Sequence, residues 1–161
     1  MDTDKAVTAD ELRALCADLL NRPGPLLLIL HRVQEKLGFV SPSLVPIIAK
    51  ELNLSRAEVH GVVSFYHDFR DHKPGKHVVK ICQAEACQAM GSERLTQHIK
   101  ARLGIDMHST DKKGEFTLEP TYCLGNCALS PAIMINGALC GRVTPQRFDQ
   151  LAQELVEIEC R

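Results

Sequence analysis

His77-Val78-Val79-Lys80-Ile81-Cys82-Gln83-Ala84-Glu85-Ala86-Cys87 is the stretch in which the chain changes its period. Before it, apolar residues recur three or four apart, as on one helix face, whereas from His77 to Cys82 apolar and β-branched residues run together as a strand. Residues 92–103 return to helical spacing, with Leu95, Ile99 and Leu103 aligned, and residues 116–122 predict a second strand. Residues 132–135 and 138–143 flank Asn136-Gly137, a pair that tolerates positive φ at both turn positions and so predicts a hairpin. Thr144-Pro145 caps a last helix whose inner face is Phe148, Leu151, Ala152 and Leu155. The expected class is α+β: a small mixed sheet layered with helices over residues 75–161, preceded by a helical bundle over residues 1–74.

The helical half is punctuated by capping chemistry. Thr8 with Glu11, and Ser55 with Glu58, are capping boxes, in which a hydroxyl and a carboxylate each satisfy an orphan amide. The first box opens a helix to about Asn21, where Arg22-Pro23-Gly24-Pro25 breaks it. Pro25 suits the first turn of a second helix carrying Leu26, Ile29, Leu30, Val33 and Leu37, which Gly38 ends in a left-handed cap. Ser41-Pro42 starts a third with Leu44, Ile47, Ile48 and Leu52 inward. The fourth carries Val59, Val62, Val63 and Tyr66 and stops before Asp71-His72-Lys73-Pro74-Gly75, the expected domain boundary.

With 161 residues, 45% hydrophobic and 24% charged, the chain has ordinary globular composition. A formal charge of -1 without a basic stripe argues against a nucleic-acid partner. The longest apolar run, residues 26–30, is far too short to span a bilayer, and the acidic start Met1-Asp2-Thr3-Asp4 is unlike a signal peptide. A cytoplasmic protein with no direct membrane insertion is expected. Seven cysteines are more than packing needs there, and their odd number does not suit a secreted disulfide framework, so metal or redox chemistry becomes the leading explanation.

Four of the seven form a pattern. Cys82 and Cys87 are separated by four residues, Cys123 and Cys127 by three, and each pair follows a predicted strand. A [2Fe-2S] cluster takes soft, anionic sulfur ligands on backbone whose amides can also donate to sulfur. Ala84, Ala86, Ala89, Gly91, Gly125, Ala128 and Pro131 leave room for an inorganic core, and Leu124-Gly125-Asn126 is able to turn its amides toward sulfur. Each pair alone is weak; together they make Cys82, Cys87, Cys123 and Cys127 the candidate metal ligands. The rivals are a zinc-stabilised interaction domain, although zinc knuckles favour two intervening residues in at least one pair, and a thiol redox sensor, although no Cys-x-x-Cys occurs. Cys16, Cys140 and Cys160 read as bystanders.

Gly38-Phe39-Val40-Ser41, Gly61-Val62-Val63-Ser64-Phe65-Tyr66, the two cysteine pairs with Cys123-Leu124-Gly125-Asn126-Cys127-Ala128, and Gly141-Arg142-Val143-Thr144-Pro145 together resemble one family over nearly the whole chain. It is the thioredoxin-like [2Fe-2S] subunit of respiratory NADH dehydrogenase, NAD-reducing hydrogenases and soluble NAD-dependent formate dehydrogenases. The resemblance implies a thioredoxin-like domain with one [2Fe-2S] cluster on Cys82, Cys87, Cys123 and Cys127, and an electron-transfer role without catalysis by this chain alone. It also implies a diaphorase-type partner subunit that holds FMN, NAD and its own iron-sulfur centre, and a larger catalytic subunit. Within the family, Ile81-Cys82-Gln83-Ala84-Glu85-Ala86-Cys87-Gln88-Ala89-Met90-Gly91 is most similar to the small subunit of formate dehydrogenases. The equivalent subunit of NADH:quinone oxidoreductase or of NAD-reducing hydrogenase is the alternative.

Nothing else in the sequence competes as a site. The seven histidines lack zinc or haem spacing, with His67 and His72 in a polar segment, and there is neither a Gly-x-Gly-x-x-Gly after a strand nor a Walker loop. Phe65, Tyr66 and Phe69 are read equally well as core or as an anchor for a partner subunit.

Overall fold

The computed structural model describes residues 8–159; the acidic start at Met1-Asp2-Thr3-Asp4 and Cys160 lie outside them. The chain divides into two compact units between Lys73 and Pro74.

The first unit is helical: α1 (Ala9–Cys16), α2 (Leu26–Leu37), a 3-10 turn (Pro42–Leu44), α3 (Val45–Glu51) and α4 (Arg56–Phe65). Both capping boxes form: Thr8 Oγ1 accepts from the Glu11 amide at 3.2 Å, and Ser55 Oγ from the Glu58 amide at 3.1 Å. Gly38 closes α2 at φ 87°, and its amide donates to the Gln34 carbonyl. The α-helix α1 is shorter than expected: after Cys16 the chain tightens into turns, the Leu19 amide bonding to the Cys16 carbonyl at 2.8 Å. The third helix is split because Pro46 has no amide to give the Pro42 carbonyl; the Val45 amide bonds there instead, in 3-10 register. The core is Leu12, Cys16, Leu19, Ile29, Leu30, Val33, Leu44, Ile48 and Val59 with their neighbours. Tyr66 lies just past the end of the fourth helix. It caps α4 in an extended conformation, off the helical wheel, and is 43% exposed.

The second unit is a five-stranded sheet with helices. In chain order it contains β1 (His77–Cys82), α5 (Glu85–Ala89), α6 (Ser92–Leu103), β2 (Ser109–Thr110) and β3 (Phe116–Thr121). A 3-10 turn (Cys127–Leu129), β4 (Ile133–Ile135), β5 (Ala138–Cys140) and α7 (Pro145–Glu159) follow. The sheet order is β2-β3-β1-β4-β5; β1 and β3 are parallel and every other pairing is antiparallel. The expected mixed sheet with helices is therefore present. Asn136 and Gly137 turn the β4–β5 hairpin at φ 50° and 85°, as their residue types require. Val79, Ile81, Leu95, Ile99, Leu118, Ile133, Val143, Phe148 and Ala152 form the core, joining central strands to both long helices. The last strand ends at Cys140, short of the expected residue 143, because the Arg142 and Val143 amides turn to the carbonyls of Leu129 and Pro131.

Candidate metal centre

Parallel pairing decides where the chemistry gathers. β1 and β3 run side by side with Cys82 opposite Thr121, so the loops after both strands leave from one end of the sheet, the end where parallel sheets collect ligands. Cys123 stands two residues past β3. On the other flank of β1, Ile133 pairs with Ile81 and the Cys82 amide donates to the Ala132 carbonyl at 3.1 Å. The segment 127–132 is thereby returned to the same end.

All four candidate cysteines lie in this region, on different supports. Cys82 is the last residue of β1 and Cys87 is carried by α5; each is 2% exposed, and both pack with Ala132, Ala84 and Leu124. Cys123 lies in the loop after β3 and Cys127 opens the 3-10 turn; both are exposed. The sequence pattern places Cys87 in a loop, whereas the structure places it on a helix. A five-residue helix with no side-chain cap has neither the length nor the start signal that periodicity needs.

The sulfurs act on one another. Burial pushes the Cys82 thiol up, the amides of Ala84 and Leu124 pull the other way, and Cys87 adds to the rise. Burial also opposes a Cys87 thiolate, but the Ser130 hydroxyl, the Ala132 amide and the Cys82 thiol outweigh it, so Cys87 falls below the ordinary thiol range. Cys127 is held above that range, first by its hydrogen bond with Cys123 and the charge of that sulfur, then by burial and by the charge of Cys87. Each thiol thus feels the other member of its pair, and Cys127 also feels the charge of Cys87. The Gly125 amide donates to Cys123 Sγ at 3.3 Å, with Gly125 at φ 72°. Cys87 Sγ lies 3.5 Å from Ser130 Oγ, whose hydroxyl donates to the Cys127 carbonyl at 2.7 Å.

Among the described residues no three His, Cys, Asp or Glu side chains close around a single ion position. The donor set is two thiol pairs, with main-chain amides favouring the thiolate forms of Cys82 and Cys87 and the Gly125 amide donating to Cys123 Sγ. That set fits a [2Fe-2S] cluster, whose four thiolates are shared between two irons and whose negative charge is eased by amide hydrogen bonds. Cys16 belongs to the core of the helical unit, and Cys140 is opposite Ile133 in the hairpin.

The model of the family described as thioredoxin-like [2Fe-2S] ferredoxin matches residues 12–156. The chain belongs to this family. The cofactor of such a ferredoxin is a single [2Fe-2S] cluster, and its work is electron transfer. The chain is 30% identical to the HndA subunit of the NADP-reducing hydrogenase of Solidesulfovibrio fructosivorans, over 84% of this chain and 80% of the relative. It is 34% identical to a subunit of the NADH-quinone oxidoreductase of Pseudomonas aeruginosa, over 77% of this chain and 75% of the relative. Its fold matches an NAD+-reducing [NiFe]-hydrogenase in the air-oxidized state with a TM-score of 0.69 at 23% identity, covering 82% of this chain and 23% of that one. The expected family and fold class both stand.

Sequence reasoning misses the residues that pack on the second cysteine loop, Ser130 and the Gly141-Arg142 return. In the sequence Gly141-Arg142 stands out only as part of a resemblance; its proximity to the loop follows from the hairpin register, which the Asn136-Gly137 turn signal already contains. The aromatic trio divides: Phe69 is buried in the helical core, whereas Phe65 is 73% exposed.

Proposed function

We propose that the chain is the electron-transfer subunit of a cytoplasmic NAD-linked oxidoreductase, with its cluster held by Cys82, Cys87, Cys123 and Cys127 in the domain spanning residues 75–161. The observation carrying this reading is that the strand pairing delivers both cysteine pairs to one end of the parallel strands β1 and β3. When bound, the cluster supplies one-electron chemistry. Cys82 and Cys87 anchor it to the sheet, and the amides on sulfur offset negative charge. The exposed Cys123 and Cys127 give a partner a short approach. The residues 1–74 form a separate helical region without a role in ligation.

The partner is a diaphorase-type subunit that holds FMN and NAD, together with a larger catalytic subunit. For the parent enzyme, the stretch from Ile81 to Gly91 favours an NAD-dependent formate dehydrogenase. The names of the relatives favour a hydrogenase or an NADH:quinone oxidoreductase at least as strongly. Two measurements test the proposal. Purified protein should be brown, contain iron and acid-labile sulfide in equal amounts, and give a paramagnetic signal only after reduction; a colourless zinc protein, or a reversible disulfide without iron, overturns it. The native complex, recovered on this subunit, should reduce NAD with formate; activity with hydrogen or quinone alone reassigns the parent enzyme.

A further inference from the structure

Cys82 is held by a strand and Cys87 is the buried residue of a short helix, but Cys127 sits in an exposed 3-10 turn. The return limb of the hairpin packs against that turn. After β5 the chain passes Gly141, where an added Cβ would stand 2.6 Å from Leu129 Cβ, 2.8 Å from Asn126 Nδ2 and 2.9 Å from the Leu129 carbonyl oxygen. Real Cβ atoms do not approach so closely. Two of those three atoms cannot swing aside, being the root of a side chain and a main-chain oxygen. Immediately beyond, the Arg142 amide donates to that same Leu129 carbonyl at 2.6 Å, and the Val143 amide to the Pro131 carbonyl at 3.0 Å. Arg142 takes a left-handed conformation, φ 51°, to make this turn. The Leu129 amide in turn closes on the Asn126 carbonyl at 3.0 Å, completing the turn that contains Cys127.

From this close approach we infer that Gly141 is a positioning residue for the metal centre: its missing side chain lets residues 141–143 clamp the turn 126–129 and so set where the Cys127 sulfur stands. The inference rests on the ligand assignment proposed above. A methyl group at position 141 has only two ways out. Either the turn shifts and takes Cys127 with it, or the return limb lifts and the bonds to Leu129 and Pro131 are lost; in both cases the exposed pair loses its register with the buried pair.

The test uses the full chain, loaded anaerobically with ferrous iron and sulfide, as wild type, Gly141→Ala and Gly75→Ala. Gly75 is the control for general crowding: its added Cβ would meet the Glu115 and Phe116 backbone at 3.0 Å, at the end of β1 away from the cysteines. Gly141→Ala should lose iron to a chelator about tenfold faster or more, the scale expected when support behind a ligand is removed. It should also change the paramagnetic spectrum of the reduced protein. In the apo chain Cys127 should alkylate at an altered rate while Cys82 does not. Gly75→Ala, whatever its melting temperature, should keep the wild-type spectrum and iron retention. If Gly141→Ala does not fold, the single variant Leu129→Gly, which removes the side-chain root that Gly141 packs against and adds no clash, should lose iron faster than wild type. A Leu129→Gly protein with wild-type iron retention, or a Gly141→Ala protein indistinguishable from wild type or from Gly75→Ala, overturns the inference. Wild-type protein that takes up no [2Fe-2S] cluster overturns the ligand assignment itself.

Discussion

At the scale of single residues, the four cysteines are chemically unequal before any iron arrives. Cys82 and Cys87 are sealed among Ala132, Ala84 and Leu124, while Cys123 and Cys127 meet solvent, so the same thiol chemistry is placed in two dielectric settings. Replacing Cys123 with Ala should abolish stable cluster binding, whereas Cys140→Ala, remote in role and paired across the hairpin with Ile133, should keep it. Iron and sulfide content of the two purified variants decides the matter; equal iron loss from both contradicts the ligand set. The four positions stand out in the sequence because two thiol pairs, each following a strand, suit a metal centre together better than either does alone. Cys140 is separable from them for the opposite reason: a lone cysteine in a strand has no second sulfur to work with. What single residues do not reveal is support from a distance, since Gly141 has meaning only once the hairpin has folded it against Leu129.

At the scale of elements, caps and tight turns read well because each is settled among a few neighbouring groups. The Ser55–Glu58 box offers a quantitative check. The Ser55 amide, followed by the Ser55 hydroxyl, holds the Glu58 carboxyl below the ordinary glutamate range. A depressed native pKa means that the box stabilises the fold fully above the unfolded-state glutamate pKa and loses that contribution as pH falls through the lower native value. An NMR titration should therefore show Glu58 with a midpoint below the ordinary range, returning toward it in Ser55→Ala; an ordinary midpoint in the wild type counts against the box. The same substitution should cost about 1 kcal/mol in denaturant melts, the usual loss for a removed N-cap. Elements set by distant partners are not legible. The two-residue β2 exists only because Ser109 and Thr110 meet Leu118 and Thr117, and α5 is too short to announce itself. Pro46 is legible in principle, since a proline four residues after Pro42 forbids the α-helical bond that would have made one helix of residues 42–51.

At the scale of the whole molecule, a cluster on the proposed ligands would be a stabilising ligand as well as an electron carrier, because it would bind the native arrangement of the two cysteine segments and not the unfolded chain. Stripping the iron with a chelator should lower the melting temperature of the sheet-containing unit by more than about 4 °C, the shift that roughly 1 kcal/mol produces in a domain of this size. Calorimetry of loaded and stripped protein measures it, and coincident transitions would show that the centre adds nothing to the fold. The class of the fold is legible because period changes mark it. Strand order is not, since nothing local says that β1 lies between β3 and β4. No helix among the described residues is long and apolar enough to cross a membrane. The sheet order has one more effect, outside redox chemistry. Its outermost strands are only two and three residues long, so each border offers very few open main-chain groups for another polypeptide to zip onto. Stacking into fibrils by strand addition is thereby discouraged.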